Sequence, residues 1–385
     1  MPGLYVHIPF CVRKCRYCDF FSLAQPELME RYLEALHAEI RALSRQPWDT
    51  IDTVFFGGGT PSLLSGKQAT ALLQELKRQF SIATDAEITF ECNPGTLTRE
   101  TLSSYREAGV NRLSIGVQSL QDELLQRIGR IHTSAAFFDS FRLAREAGFT
   151  NINADVMHGL PGQTKEAYLS TLEGLTSLCP EHISAYGLIL EEGTALFDDV
   201  AAKRETLPDE DDVYEMQDAG IAYLTQQGYV RYEISNFAKP GYVCRHNLNY
   251  WANGAYLGLG AGAHSAWRLN MSGLPQWTRW SNADDIAAYI KEAAMPLAQK
   301  ALHGIPANEE AFETVMVGLR TSAGIPLRDF QERFHKPFAA CYPKSVEILR
   351  QKGWLVLSPM HAYLTKQGLD LQNAALQYFL EEANL

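Results

Sequence analysis

Six short apolar runs, each followed by an amphipathic stretch, occupy the chain up to about residue 190. They are LYVHI from Leu4, TVFF from Thr53, EITFE from Glu87, RLSIGV from Arg112, NINADVM from Asn151 and HISAYGLIL from His182. The stretches between them carry apolar residues at helical spacing, as in Leu33, Leu36, Ile40 and Leu43, or Leu72, Leu73, Leu76 and Phe80. One face of each helix is therefore apolar. Six strands separated by helices are six βα units, and the right-handed crossover rule makes their sheet parallel. Such a sheet either closes partly into a barrel or stays open and doubly wound.

Sites on barrel-type sheets gather at the C-terminal ends of the strands. The distinctive polar groups of this chain fall there. Cys11, Cys15 and Cys18 follow the first strand, and Gly57-Gly58-Gly59-Thr60 follows the second. The third strand ends in Glu91, the fourth leads into Gln118, and the fifth carries Asp155. Any one strand end favours polar residues, but independent strands agreeing on one rim are hard to explain by packing alone. The rim is the expected site.

Beyond Asp209 the pattern changes. An acidic helix is expected over Glu210 to Gln226, followed by GYVRYEISNFAKPGYVCRHNLNYW and YLGLGAGAHSAW, a glycine- and aromatic-rich run too irregular for another βα unit. From about Ile305 the chain reads as a small helical domain whose end, LRQKGWLVLSPMHAYLTKQGLDL, predicts a helix, a glycine turn, two short strands and another helix, as in a winged-helix-like module. Three units are expected: residues 1–235, 236–300 and 301–385.

A formal net charge of -11 argues against a protein that grips a nucleic-acid backbone. With no apolar run of the ~18 to 20 residues a span needs, and an opening on LYVHI without a signal-type apolar region, the expected location is the cytoplasm. Cys92, Cys179, Cys244 and Cys341 are scattered singly. In a cytosolic chain this suggests one metal site plus ordinary thiols, not a disulfide framework.

The cysteine spacing is C-x3-C-x2-C. Structural zinc takes four protein ligands, usually in pairs, and only His7 is near enough in sequence to be the fourth. A 4Fe-4S cluster is the other reading, since three cysteines leave one iron open to chelate a small molecule.

The loop resembles the signature of radical S-adenosylmethionine (SAM) enzymes, in which the methionyl amine and carboxylate of SAM occupy the fourth iron and a reduced cluster cleaves SAM to methionine and a deoxyadenosyl radical. GGGTPS after the second strand is similar to that family's glycine motif. The finer likeness is to the oxygen-independent coproporphyrinogen III oxidase branch: YVHIPFC, FFGGGTPS, ECNPG, GVQS, LPGQT, YEISNFA, RHNLNYW and the C-terminal domain. The resemblance implies a partial (β/α)6 barrel with a small C-terminal helical, winged-helix-like domain. It also implies that Cys11, Cys15 and Cys18 hold the cluster and that Tyr5, Gly58, Gly59, Thr60, Glu91, Gln118, Arg130 and Asp155 contact SAM. Arg130 suits the methionyl carboxylate, and Glu91, Gln118 or Asp155 the amine and ribose hydroxyls.

Two features depart from the oxidases. Their motif continues C-x3-C-x2-C-x-C, where this chain has Cys18-Asp19-Phe20, and they carry a long segment ahead of the first strand, where Met1, Pro2 and Gly3 stand here. Both features, with CRHNLNYW, match a sister group, the radical-SAM haem chaperones. That likeness implies haem binding and delivery to acceptor haemoproteins, including membrane-bound respiratory enzymes, an electron donor for the cluster, and no coproporphyrinogen oxidase activity. The H-N-x-x-Y-W motif falls on His246, Asn247, Tyr250 and Trp251, making His246 the expected haem-iron ligand, with Tyr250, Trp251, Tyr256 and Trp267 expected against the porphyrin. Read from the residues alone, a single histidine among aromatics is more often a hydrogen-bonded core residue, and it is the resemblance that makes His246 a ligand candidate. Cys244, His264 and His132 are secondary candidates.

Overall fold

In a computed structural model of the chain, which describes residues 1–271, 273–380 and 382, all six expected strands are present. They are β1 (Gly3–Ile8), β2 (Ile51–Gly58), β3 (Ile82–Cys92), β4 (Arg112–Gln118), β5 (Ile152–His158) and β6 (His182–Gly187). Each pairs in parallel with the next. The sixth is shorter than its apolar run, because the chain turns after Gly187 and Leu188 donates its N–H to His158 O at 2.9 Å.

The glycine-rich run supplies more strands. These are β7 (Val230–Arg231), β8 (Asn236–Ala238), β9 (Tyr256–Leu259), β10 (His264–Met271), β11 (Leu274–Ser281) and β12 (His303–Gly304). β9 lies parallel to β1 on its outer side, and β10 to β12 continue antiparallel. β8 and β7 extend the other end beyond β6. The order is linear, β12-β11-β10-β9-β1-β2-β3-β4-β5-β6-β8-β7, so the barrel is partial, without a hydrogen-bonded seam among the described residues.

Successive side chains on a strand face opposite ways. Leu4, Val6 and Ile8, Val54 and Phe56, and Leu113, Ile115 and Val117 form one face, buried in a single core with helix residues such as Leu36, Leu72 and Leu76. The other parity carries Tyr5 and His7, Thr53 and Phe55, Glu87 and Glu91, Arg112 and Ser114, and Asn153 and Asp155. The helices thus take the apolar side and leave a polar concave side.

A second core, including Ala311, Phe330, Tyr342, Leu349 and Phe379, holds the C-terminal unit together. Its helices surround a three-stranded sheet of Ile325–Pro326, His361–Leu364 and Leu355–Leu357. The first of these strands is too short to be read from the sequence. No helix among the described residues is long and apolar enough to cross a membrane.

The strands from residue 256 onward are tied to the barrel by a buried carboxylate. Glu39, in the helix Met29–Leu43, accepts from Gly260 N–H, Tyr289 OH and Asn282 Nδ2, each at 2.8 Å, and from Lys300 Nζ at 3.2 Å. Removing one partner of such a network leaves the others buried and unpaired. Glu39→Ala is expected to cost about 3 to 5 kcal/mol in urea unfolding; a loss under about 1 kcal/mol would show that the anchor is dispensable.

Candidate functional site

The cysteine loop is fixed from three sides. Cys11 N–H donates to Leu23 O at 2.9 Å, Arg16 N–H to Ile128 O at 3.0 Å, and Arg13 to Gly129 O at 3.0 Å. Arg16 also pairs with Asp199. The glycines at the end of β2 let this loop close onto the sheet. Gly58 has φ +105°, and a Cβ there would lie 2.3 Å from the His7 ring; one on Gly59 would lie 2.8 to 2.9 Å from the backbone of Ile8 and Phe10. Both positions require glycine for packing, whatever binds nearby.

Cys11, Cys15 and Cys18 line one cavity of about 400 Å³ together with Gly58, Gly59, Thr60, Glu91, Gln118, Arg130 and Asp155. Donors point at two of the sulfurs: Thr60 Oγ1 at Cys11 Sγ (3.4 Å) and Arg130 Nη1 at Cys15 Sγ (3.5 Å). Burial raises the Cys11 and Cys18 thiols above their ordinary values. Donors aimed at sulfur favour the thiolate that metal binding needs, so the residues fit a thiolate-held cluster. Among the described residues no three His, Cys, Asp or Glu side chains converge as a single metal ion would need. His7, the fourth ligand a zinc site would want, is engaged elsewhere, with Nε2 donating to Phe21 O at 2.8 Å and Nδ1 accepting from Tyr5 OH at 3.0 Å.

Arg130 is buried and fixed by Asn93 Oδ1 (2.7 Å) and Gly116 O (2.6 Å). Asn93 in turn donates to Thr60 Oγ1 at 2.9 Å. Sequence reasoning missed Asn93, although it stands in ECNPG at the end of β3. Gln118 has φ +62° at a register break between β4 and β5, an uncommon conformation for a residue with a side chain.

A second cavity, of about 470 Å³, shares a wall with the first: Phe20, Gly58, Glu91, Ser114, Asp155 and Tyr186 line both. Tyr5 belongs to this second cavity, as do Phe55, His246, Tyr250, Tyr256 and His264. The short helix Arg245–Trp251 lies at the N-terminal ends of the strands, where Glu87 accepts from the N–H groups of Arg245 and His246 at 3.1 Å each. His246 is buried, its ring stacked on Phe55 (centroids 5.1 Å, 23° between planes). Its Nδ1 is hydrogen-bonded to Thr53 Oγ1 at 2.8 Å and its Nε2 to Tyr250 OH at 3.1 Å. Burial, with Arg112 adding, lowers His246 to about 3, so the ring is neutral.

Other expected neighbours lie elsewhere. Trp267 is packed edge-on to Trp48 in the core, and Trp251 lies under Arg320, so neither reaches the cavity. They are apolar enough to be taken by packing. His132 is buried against Val117 O, and Cys244 is buried beside Glu87. His264 is exposed on the cavity lining, and its side chain makes no hydrogen bond among the described residues.

A partial βα barrel with a three-cysteine loop after its first strand is the architecture of radical SAM proteins, and the Radical SAM superfamily profile matches residues 5–175. The HemN C-terminal domain profile matches residues 305–371. The chain is 38% identical to the Heme chaperone HemW of Bacillus subtilis, over 99% of this chain and 100% of the relative. It is 35% identical to that of Haemophilus influenzae (99% and 98%) and 44% identical to that of Escherichia coli (68% and 69%). Among solved structures, coproporphyrinogen III oxidase (HemN) from Escherichia coli superposes with a TM-score of 0.81 at 25% identity, covering 98% of this chain and 89% of that one. The chain belongs to the HemW family of radical SAM proteins.

The electrostatic centre of the shared wall is Glu91. Burial, then the nearby charge of Asp155, pushes its carboxyl from 4.5 up to about 8, against the opposing pull of Gly58 N–H and Arg112. Between those two values the folded chain keeps a proton that the unfolded chain has released. The stability tied to Glu91 is therefore full below about 4.5 and lost as pH rises through about 8. Glu91→Gln carries a neutral isostere at every pH, so its melting temperature relative to wild type should climb between pH 5 and pH 9, on the order of a few °C. Parallel curves would show that Glu91 ionises normally.

Proposed function

We propose that the chain is a haem chaperone that holds a 4Fe-4S cluster on Cys11, Cys15 and Cys18, SAM beside it, and haem in the adjoining aromatic cavity, and passes haem to acceptor haemoproteins. The observation that carries this reading is the shared wall between a thiol-lined and an aromatic-lined cavity. When bound, a reduced cluster supplies one electron to the sulfonium of SAM. The rest is the chain's own work. Arg130, already oriented by Asn93 and Gly116, is suited to a carboxylate; Glu91 and Asp155 suit an amine and ribose hydroxyls. Gly58, Gly59, Thr60 and Gln118 would complete that contact, while Tyr5 would meet the ligand from the haem side.

Phe20 supports chaperone over oxidase. It stands where the oxidase motif has a further cysteine, is 70% exposed, and lines both cavities. An apolar ring there suits a porphyrin face and offers no thiol. In this reading residues 1–235 form the radical-SAM core, 236–300 the haem-site extension and 301–385 the terminal domain.

His246 can reach iron through Nε2 only if Tyr250 OH gives way, a local side-chain rotation on one short helix. Two results are expected. Replacing Cys15 by Ser should abolish the absorbance near about 400 nm that thiolate-to-iron charge transfer gives after anaerobic reconstitution, with iron falling in parallel; zinc in place of iron in the wild type would refute the cluster. In ferric-haem titrations His246→Ala should lose the shifted Soret band while His264→Ala keeps it; the reverse pattern would move the ligand to His264, and no Soret shift in the wild type would refute haem binding.

A further inference from the structure

Arg112 opens β4, opposite Thr89 of β3, and its side chain faces the concave side of the sheet. It is only 2% exposed, and it lines the aromatic cavity. A buried arginine normally spends its five N–H donors on carboxylates or carbonyls. Arg112 does not. Its Nε has no partner, and among the described residues the guanidinium makes no hydrogen bond or ion pair.

The nearby acids are already supplied by other donors. Glu87 takes the N–H groups of Arg245 and His246 and the Cys244 thiol. Asp155 takes Asn153 Nδ2 at 2.7 Å and Ser114 Oγ at 3.1 Å. Their charges offset the cost of burying the cation, while the planar fork of donors is left for something that enters the cavity. Leaving a charged donor set unmet is expensive, so an occupant with paired acceptors gains where a neutral one does not.

We propose that Arg112 is a carboxylate subsite at the inner end of the aromatic cavity, and that it takes a propionate of the bound haem. This rests on the haem reading above and adds what orients the macrocycle: rings of Tyr5, Phe55 and Tyr250 against the faces, a charged fork for one acidic edge. A guanidinium and a carboxylate can form two parallel N–H···O bonds, which fixes orientation as well as affinity.

The test uses the full-length, cluster-reconstituted protein and two probes, ferric protoporphyrin IX and its dimethyl ester, titrated by Soret absorbance. Wild type is expected to bind the free acid about tenfold or more tightly than the diester, the scale of one charged hydrogen-bonded contact. Arg112→Gln should weaken the free acid by that factor, leave the diester within about twofold, and so erase the preference. Arg112→Lys, which keeps the charge without the fork, should fall between, and it with the wild-type ratio carries the test if the glutamine variant does not fold. A wild type that does not distinguish the probes, or a glutamine variant that still does, overturns the subsite. A wild type that binds neither probe overturns the haem reading itself.

Discussion

The structure depends on the strict alternation of side chains along its parallel strands. The helices can cover only one face of the sheet, and that face is apolar at every turn, from Leu4 and Val6 to Ile152 and Val156. Each apolar residue buried there contributes on the order of 1.5 to 3 kcal/mol. The same strands can then carry Thr53, Glu87, Arg112, Asn153, Asp155 and His182 on the concave face, because the core does not rely on them. A fold stabilised on one side leaves chemistry to the other.

The concave side is closed from below by the helix Arg245–Trp251 and from above by the cysteine loop. Glu87 meets the first N–H groups of that helix, where a carboxylate answers both unpaired donors and the helix dipole. The closure buries His246 and Tyr250 against Phe55 and Tyr256, producing an aromatic chamber inside the barrel. Glu91, Asp155 and Ser114 then stand between the chamber and the thiols. A ligand that contacts these residues from one cavity therefore contacts side chains that also line the other.

The six strands, the acidic helix Glu210–Gln226 and the winged-helix-like end were legible because apolar periodicity and glycine turns are local signals. β9 was not. It lies in the glycine-rich run too irregular for another βα unit, yet Gly258 lies where a Cβ would come within 2.0 Å of His264 O, so the close approach of two strands demands glycine. The cysteines were legible from spacing, and the structure brings all three to one cavity with seven of the eight residues expected around SAM. Tyr5 falls on the other side of the wall because its parity on β1 aims it with His7 at the chamber. Trp251 and Trp267 read as porphyrin neighbours because composition cannot separate a ring in a core, such as Trp267, or one covered by an arginine, such as Trp251, from a ring on a cavity. Arg112 was placed at the start of its strand and given no role, although RLSIGV alternates polar with apolar at its start and puts Arg112 and Ser114 on one face.

The central claim is that this chain accepts haem and gives it up to another haemoprotein. The most direct measurement mixes the anaerobically reconstituted, haem-loaded full-length protein with an apo respiratory haemoprotein and follows the Soret band of each after separation. The account predicts that haem moves to the acceptor faster than it moves to a general haem trap such as serum albumin, and that the acceptor gains activity. Haem retained by the chain, or lost equally fast to both, would contradict it.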